Sequence, residues 1–433
     1  MIVIDTRSTE EEENHFLQNM FHFSLRSHTG HHIGITDDQE ARIVENNDRW
    51  ERFQFLDGNG RPCVPANGQK VAIQSVHHKT WISCSNNGTI DVATHQKDWE
   101  MFTYANIDDK ITLRSHHGTY ISVSDKNNLV TAEHPNTWEQ FTAIKYRVIH
   151  SFDLGGGGLK YCFWHCKHGT EIFERQSEEE SSIEQGLKYC PNSKSPAQWI
   201  REKITNFDQC VNVDGALIGF SLAGMNKLWV DQTDRSEGRN VQELFGITAS
   251  CSVYDTGDGM AQMIGAKHFL ESQNQARITH PHINFALGTG VGMGASNSNG
   301  DPRNGNELRF DMDGKTKEAW SLIHPSTGRK AWDVLGINGV NDHGPEQFAR
   351  HWREFYDQVW IELYAQKKWT RPATISFTGG CLRIDGVASA MQEMFPECQA
   401  CLFDDQESGN AGLLGAAVSV FKKRYDDTAG QKK

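Results

Sequence analysis

One pattern occurs three times in the first third of the sequence, and it constrains the fold more than any other feature. The copies are "FSLRSHTGHHIGITDD…NNDRWERFQFL", "VAIQSVHHKTWISCSNN…HQKDWEMFTYA" and "ITLRSHHGTYISVSDKN…HPNTWEQFTAI". Each closes on Trp-Glu-x-Phe, with Trp50, Trp99 and Trp138 leading to Phe53, Phe102 and Phe141. The steps from Arg26 to Trp50, Gln74 to Trp99 and Arg114 to Trp138 are 24, 25 and 24 residues. Apolar and polar residues alternate at period two between turns rich in Gly, Asn, Asp and His, which predicts short antiparallel strands. Three units of about four strands each leave no long free edge if they close as a pseudo-threefold barrel. Trp50, Trp99 and Trp138 are expected to plug it. His28, His31, His32, His77, His78, His116 and His117 fall on the equivalent turn of each copy. They are expected to be solvated turn residues, with a pH-sensitive surface as the alternative, because imidazole titrates near neutral pH.

Composition narrows the classes. The 433 residues favour more than one domain, and an apolar share of 37% suffices for packed cores. Mean hydropathy is −0.60, and no apolar run approaches the ~18 residues of a membrane span. The opening "MIVIDTRSTEEEENHF" lacks the basic start and apolar core of a secretory signal. A net charge of −13 argues against a nucleic-acid partner. The ten cysteines are scattered, with Cys162/Cys166 and Cys398/Cys401 the close pairs. One C-x-x-C without a second nearby is weak evidence for zinc, so reduced cysteines in a cytoplasmic protein, without structural zinc, are expected.

After Tyr146 strand-like runs alternate with helical ones, the mark of an α/β domain. "GMAQMIGAKHFLES" has helical spacing, and "GPEQFARHWREFYDQVWIELYAQKK" predicts a long amphipathic helix on Phe348, Trp352, Phe355, Val359 and Leu363. Four glycine turns stand at strand ends: "DLGGGGLKY", "FALGTGVGMGA", "FTGGCL" and "SGNAGLLGAA". Bare backbone can approach a phosphate closely. Gly290, Gly292 and Ala295 also match the dinucleotide spacing G-x-G-x-x-G/A, but a strand rather than a helix is expected to follow. In the first turn, Asp153 could hold Mg²⁺, directly or through water, with Lys160 as added positive charge. In "SCSVYDTGDGMAQMIGA", Asp255 stands before a helix as a general base or a helix cap, with Asp258 as the fallback.

The first ~147 residues resemble the β-trefoils of fascin and hisactophilin, on the "SHHGTYIS" turns and the Trp-Glu-x-Phe strands. Residues from about 148 to 425 resemble the sugar kinase, Hsp70 and actin ATPase superfamily, most nearly the bacterial-type glucokinases and N-acetylglucosamine kinases. "DLGGGGLK" looks like the first phosphate motif, "LGTGVG" the second, "SFTGGCL" the adenosine motif and "GNAGLLGAA" the closing helix. Where the family usually has Thr or Ser after the first glycine pair, this chain has Gly157. The resemblance implies an all-β trefoil over 1–147, then a two-lobed α/β actin-like ATPase (ribonuclease H-like) sugar kinase fold over 148–433. Its last helix, about 410–425, returns to the first lobe. It implies ATP and Mg²⁺, with Asp153, Gly155, Gly156, Gly157, Lys160, Gly288, Thr289, Gly290, Gly379, Gly380, Gly409 and Asn410 at the nucleotide. Asp255 matches the base. Ser221, Gly224, Asn226, Tyr254, Asp255 and Glu307 match the sugar side. The expected activity is ATP-dependent phosphorylation of a sugar hydroxyl, the trefoil serving as a targeting module for actin or a glycan, with no nucleic-acid or membrane partner. The alternative is a non-catalytic actin- or glycan-binding protein whose kinase-like half senses nucleotide or sugar.

Overall fold

The structure is a computed structural model. It describes residues 21–47, 49–155, 157–167, 170, 172–183, 185–204, 207–211, 216–222, 241–247, 251–272, 278–288, 291–304, 309–312, 315–318, 322–362, 372, 374–396, 399–402 and 411–430. The chain divides into two compact units: Met1–Val148 with Trp164–Gln176 and Val213–Ala216, and Ile149–Phe163 with Ser177–Asn212 and Leu217–Lys433.

The first unit holds four strands per sequence repeat. They are β1 (Phe21–Arg26), β2 (His32–Ile35), β3 (Ala41–Val44) and β4 (Phe53–Leu56); β5 (Lys70–Ser75), β6 (Trp81–Cys84), β7 (Ile90–Ala93) and β8 (Met101–Ile107); then β9 (Lys110–Arg114), β10 (Tyr120–Val123), β11 (Leu129–Ala132) and β12, which runs from Thr142 to Leu154. Strand β1 pairs with β4 and β12, β4 with β5, β5 with β8, and β8 with β9. A bridge from Ile111 to Phe141, at the threshold of β12, closes the ring. The other strands form three hairpins of one register, with His32 opposite Val44, Trp81 opposite Ala93, and Tyr120 opposite Ala132. Phe23, Phe53, Phe102 and Phe141 fill the ring with Leu25, Ile73 and Leu113.

The tryptophans do not plug the barrel. Trp99 and Trp138 are 45% and 41% exposed. The next residue goes inside instead: Glu51, Glu100 and Glu139 are buried. Glu100 accepts from the Ser83 hydroxyl at 2.6 Å and the Lys97 N–H at 2.7 Å; Glu139 accepts from the Ser122 hydroxyl and the Asn136 N–H. Full hydrogen bonding is what permits a carboxylate there. In the first repeat Gly34 takes the serine's place, because a Cβ there would stand 2.8 Å from Glu51 Oε1. The rings outside join neighbouring repeats: His28 stacks on Trp138, and His117 meets Trp99 edge-on. His32 departs from the turn assignment. It lies buried on β2 against Ser24 Oγ at 2.7 Å, and burial pulls its pKa down to about 4.

The first unit also takes in residues 164–176. Arg52 is buried, its guanidinium bonded to Asn47 and Glu174 and 4.0 Å from the Tyr146 ring centroid.

In the second unit, strands β13 (Leu159–Lys167) and β14 (Phe173–Ile183), which both units share, precede β15 (Leu217–Leu222) and β16 (Ser252–Gly257). The later half of β12 pairs in parallel with β15, and β15 with β16. A second sheet has the order β19-β18-β17-β22-β23, from β17 (His282–Leu287), β18 (Val291–Ser296), β19 (Pro302–Asn304), β22 (Thr374–Thr378) and β23 (Gln399–Leu402); β20 (Arg309–Met312) and β21 (Lys315–Glu318) form a separate pair. The helices are α1 (Pro196–Lys203), α2 (Phe207–Val211), α3 (Val241–Leu244), α4 (Asp258–Ser272), α5 (Ala331–Leu335), α6 (Ile337–Glu362), α7 (Val387–Met394) and α8 (Ala411–Gly430). Helix α6 breaks at Gly344 (φ 75°), and Pro345 opens its longer part, as proline suits a first helical turn. Phe348, Trp352, Phe355 and Val359 then recur on one stripe and are buried with Phe285 and Phe377 of the sheet. Leu363 lies outside the described residues.

Helices α4 and α8 meet backbone to backbone. A Cβ on Gly265 would fall 1.9 Å from Ala411 O, and one on Gly415 1.7 Å from Ala261 O. Gly219 of β15 makes the same approach to Ala416 O, and Gly259 to Met293 of β18.

Candidate functional site

In an open parallel sheet, ligands are met outside the carboxyl ends of the strands. At that end of β12, β15 and β16, Asp153 is level with Ser221, and Ser221 with Thr256. Ser221 Oγ donates to Asp153 Oδ1 at 2.7 Å. The start of α8 comes down on the same carboxylate: a Cβ on Gly412 would stand 2.8 Å from Asp153 Oδ2. Glycine there lets the helix approach the acid. Asp153 and Ser221, 68 residues apart in sequence, are thus brought together.

The first glycine turn is a tight connection from β12 to β13. Gly155 N–H donates to Gly158 O at 2.9 Å, while Gly155 O and Gly157 O accept from Leu187 and Gly186 N–H, both at 3.0 Å. Gly157 is therefore held by backbone bonds that need no side-chain hydroxyl. Lys160 stands at the second position of β13 and is half-buried.

The second and third turns lie against each other. Gly379 follows β22 at φ 109°, and a Cβ on it would reach 2.5 Å from Leu287 O at the end of β17. Gly288 O accepts from Ile337 N–H at 2.9 Å and from Cys381 Sγ at 3.4 Å. Burial pushes the Cys381 thiol up to about 12, so it stays protonated. Gly380 is exposed at the head of this turn. Strand β18 follows antiparallel to β17, where a dinucleotide fingerprint requires a helix.

Tyr254 is half-buried on β16. Asp255 sits on the same strand, in register with Phe220 and so with Phe152, both buried. Asp258 is the first residue of α4, past the strand end. Gly156, Gly224, Asn226, Thr289, Gly290, Glu307, Gly409 and Asn410 lie outside the described residues.

The motifs did not disclose a polar chain linking the second sheet to α4. His282 Nε2 lies 2.7 Å from Ser376 Oγ, which donates to Asn284 Oδ1 at 2.7 Å. Asn284 Nδ2 donates to Thr378 Oγ1 at 3.3 Å, and Thr378 donates to Gln262. Because the Ser376 proton goes to Asn284, His282 carries its own proton on Nε2. Burial holds its pKa at about 3, so the ring is neutral. The period-two spacing of His282 and Asn284, matched by Ser376 and Thr378, was the available sequence signal.

No family model matches the chain, and no curated protein matches it. Among solved structures it is similar to the inorganic polyphosphate/ATP-glucomannokinase of Arthrobacter sp. strain KM, at 16% identity and TM-score 0.41. A second similar structure, from Listeria monocytogenes, is provisionally described as an N-acetylmannosamine kinase, at 16% identity and TM-score 0.39. Each alignment covers 64% of this chain and 99% of the other. Values this low leave the functional reading to the chain's own geometry. Among the described residues no helix is long and apolar enough to cross a membrane.

Proposed function

We propose that the second unit is an ATP-dependent sugar kinase and that the N-terminal repeats are a β-trefoil serving as its targeting module. The observation that carries the kinase reading is Asp153 at a strand's carboxyl end, bonded to Ser221 and met by the bare Cα of Gly412. It joins the first, sugar-side and last motifs, which are distant in sequence.

The donors fit a magnesium nucleotide. Ser221 occupies one side of Asp153 Oδ1, leaving carboxylate lone pairs for a hard cation or its water. Gly155, Gly157, Gly288 and Gly379 are half-buried and Gly380 exposed at strand ends, where the lack of a side chain leaves room for phosphate, and Lys160 adds positive charge. When bound, Mg²⁺·ATP supplies the phosphoryl group and the ion offsets phosphate charge. This chain's residues then hold the sugar, exclude water and take up the proton of the attacking hydroxyl. Asp255 is the proposed base on its motif match, with Asp258, the first residue of α4, as the fallback. Asp153, Ser221, Tyr254, Asp255 and the described glycines are the proposed machinery, with Thr289, Gly290, Gly409, Asn410, Gly224, Asn226 and Glu307 joining on their motif matches alone.

A coupled assay of ADP formation over hexoses, amino sugars and sugar acids tests this, with inorganic polyphosphate as a second donor. Turnover on one sugar class is expected. Asp255→Asn should lower it at least ~100-fold while sugar and ATP still bind, and Asp258→Asn should change it little. The opposite pattern moves the base to Asp258. A folded parent inactive on every sugar hands the site to the second reading, a non-catalytic actin- or glycan-binding protein. The exposed Trp99 and Trp138, each against a histidine, favour that reading, and co-sedimentation with actin filaments tests it.

A further inference from the structure

The second repeat breaks the threefold pattern at one turn. Between β1 and β2 the turn closes with Gly30 N–H donating to Ser27 O, and between β9 and β10 with Gly118 N–H donating to Ser115 O. Both span three residues. From Ser75 to Trp81 there is one residue more than from Ser27 to His32 or from Ser115 to Tyr120, and Lys79 N–H reaches back four residues to Ser75 O at 3.1 Å. Lys79 takes the left-handed conformation (φ 57°) that glycine has in the other two turns. The enlarged turn carries His77 and His78, and the His78 N–H is pinned to Ser75 Oγ at 3.1 Å.

The turn faces the β2–β3 connection of the first repeat. Asp37, His77 and His78 there offer one ligand atom each, all within 4.8 Å of one another. The His78 side chain is only 8% exposed, and its Nε2 is buried without a hydrogen-bond partner. That nitrogen lies 4.0 Å from Asp37 Oδ1, too far for a hydrogen bond. A buried polar atom left unmatched calls for an explanation, and an ion is one.

We propose that Asp37, His77 and His78 form a divalent transition-metal site, best suited to Zn²⁺, at the junction of the first two repeats. Two imidazoles and a carboxylate are a borderline donor set that zinc accepts, with water completing the coordination. Zinc ligands at about 2.0–2.1 Å in a tetrahedron lie about 3.4 Å apart. The Asp37 side chain, 64% exposed, is free to close the remaining distance. The far side of His78 is already held: Nδ1 is 3.0 Å from the Gln39 carboxamide. With that amide reversed, Gln39 accepts the Nδ1 proton and the Nε2 lone pair faces the gap, as metal-bound histidines require.

The test is calorimetric titration of ZnCl₂ into the reduced full-length protein at pH 7.5. Wild type, His78→Gln, Asp37→Asn and His117→Gln are compared, so that zinc held by thiols cancels. Wild type and His117→Gln should bind one zinc equivalent more than His78→Gln. Asp37→Asn, an exposed change that cannot unfold the chain, should weaken that equivalent at least ~10-fold. Zinc should raise the melting temperature of the wild type above its effect on His78→Gln. Equal stoichiometry and affinity in wild type, His78→Gln and Asp37→Asn overturns the site.

Discussion

Glu139 shows how one buried carboxylate can fix a repeat. Its two oxygens answer the Ser122 hydroxyl and the Asn136 N–H, tying hairpin β10–β11 to the turn before β12. Glu139→Ala leaves the buried Ser122 hydroxyl without its acceptor, at about 1–3 kcal/mol, whereas the Asn136 N–H, on an exposed residue, also donates to His134 O at 3.1 Å. Glu139→Gln keeps an acceptor for Asn136, and the serine hydroxyl can turn to accept from the new amide. Chemical denaturation should therefore rank wild type, Gln, then Ala, with Ala lowest by about 1–3 kcal/mol; an Ala variant equal to Gln contradicts this role. The sequence displayed Trp-Glu-x-Phe three times but not which residue turns inward. Aromatic bulk pointed to tryptophan, whereas the ring had room for Phe53, Phe102 and Phe141, and the glutamate found partners. Asp153 and Ser221 were legible as separate candidates; their bond depends on strand register, which no local pattern encodes.

At the level of elements, helices α4 and α8 approach as closely as two helices can because glycine and alanine line both sides. Glycine inside a helix costs about 1 kcal/mol relative to alanine, so its presence at 265 and 415 needs the contact to offset it. A valine at 415 must push Ala261 O aside from a Cβ distance of 1.7 Å. Gly415→Val is expected to separate α8 from α4, destabilise the second unit by roughly 3 kcal/mol or more, and move Gly412 off Asp153. Circular dichroism melts check the first effect, and ATP affinity by calorimetry the second; a variant with parental melting refutes the contact. The helices were legible from their spacing: α4, α8 and the part of α6 after Pro345 all coincide with helical patterns in the sequence. Their crossing was not, since small residues in a helix signal close approach without naming the partner.

Taken as a whole molecule, the protein should lose stability in mild acid. His150 bonds Tyr161 at 2.8 Å, and burial holds it at about 4; His282 is held at about 3. An unfolded imidazole titrates near 6.5. Below that pH the unfolded chain binds protons that the folded rings refuse, so folding weakens as pH falls through 6.5 and continues to weaken toward 4. The loss is about 1.4 kcal/mol per pH step and ring, on the order of 2 kcal/mol per ring at pH 5. Urea midpoints at pH 7.5 and 5 measure it; equal midpoints would falsify the neutral-ring assignment. Alternating strands and helices made the α/β character of the second unit legible, and the repeats made the β character of the first. The return of residues 164–176 to the first unit left no trace in sequence, because the need for it is a buried charge. Arg52 finds its carboxylate in Glu174, beyond the last repeat. On the ribosome, then, a nascent chain that has just finished Val148 has all its repeats and, inside them, a guanidinium still without its carboxylate. At about 5–20 residues per second, the 26 residues to Glu174 take about 1–5 seconds to translate. During that interval the N-terminal unit is a natural client for whatever waits at the exit tunnel, and its completion is timed by the synthesis of the strands that both units share.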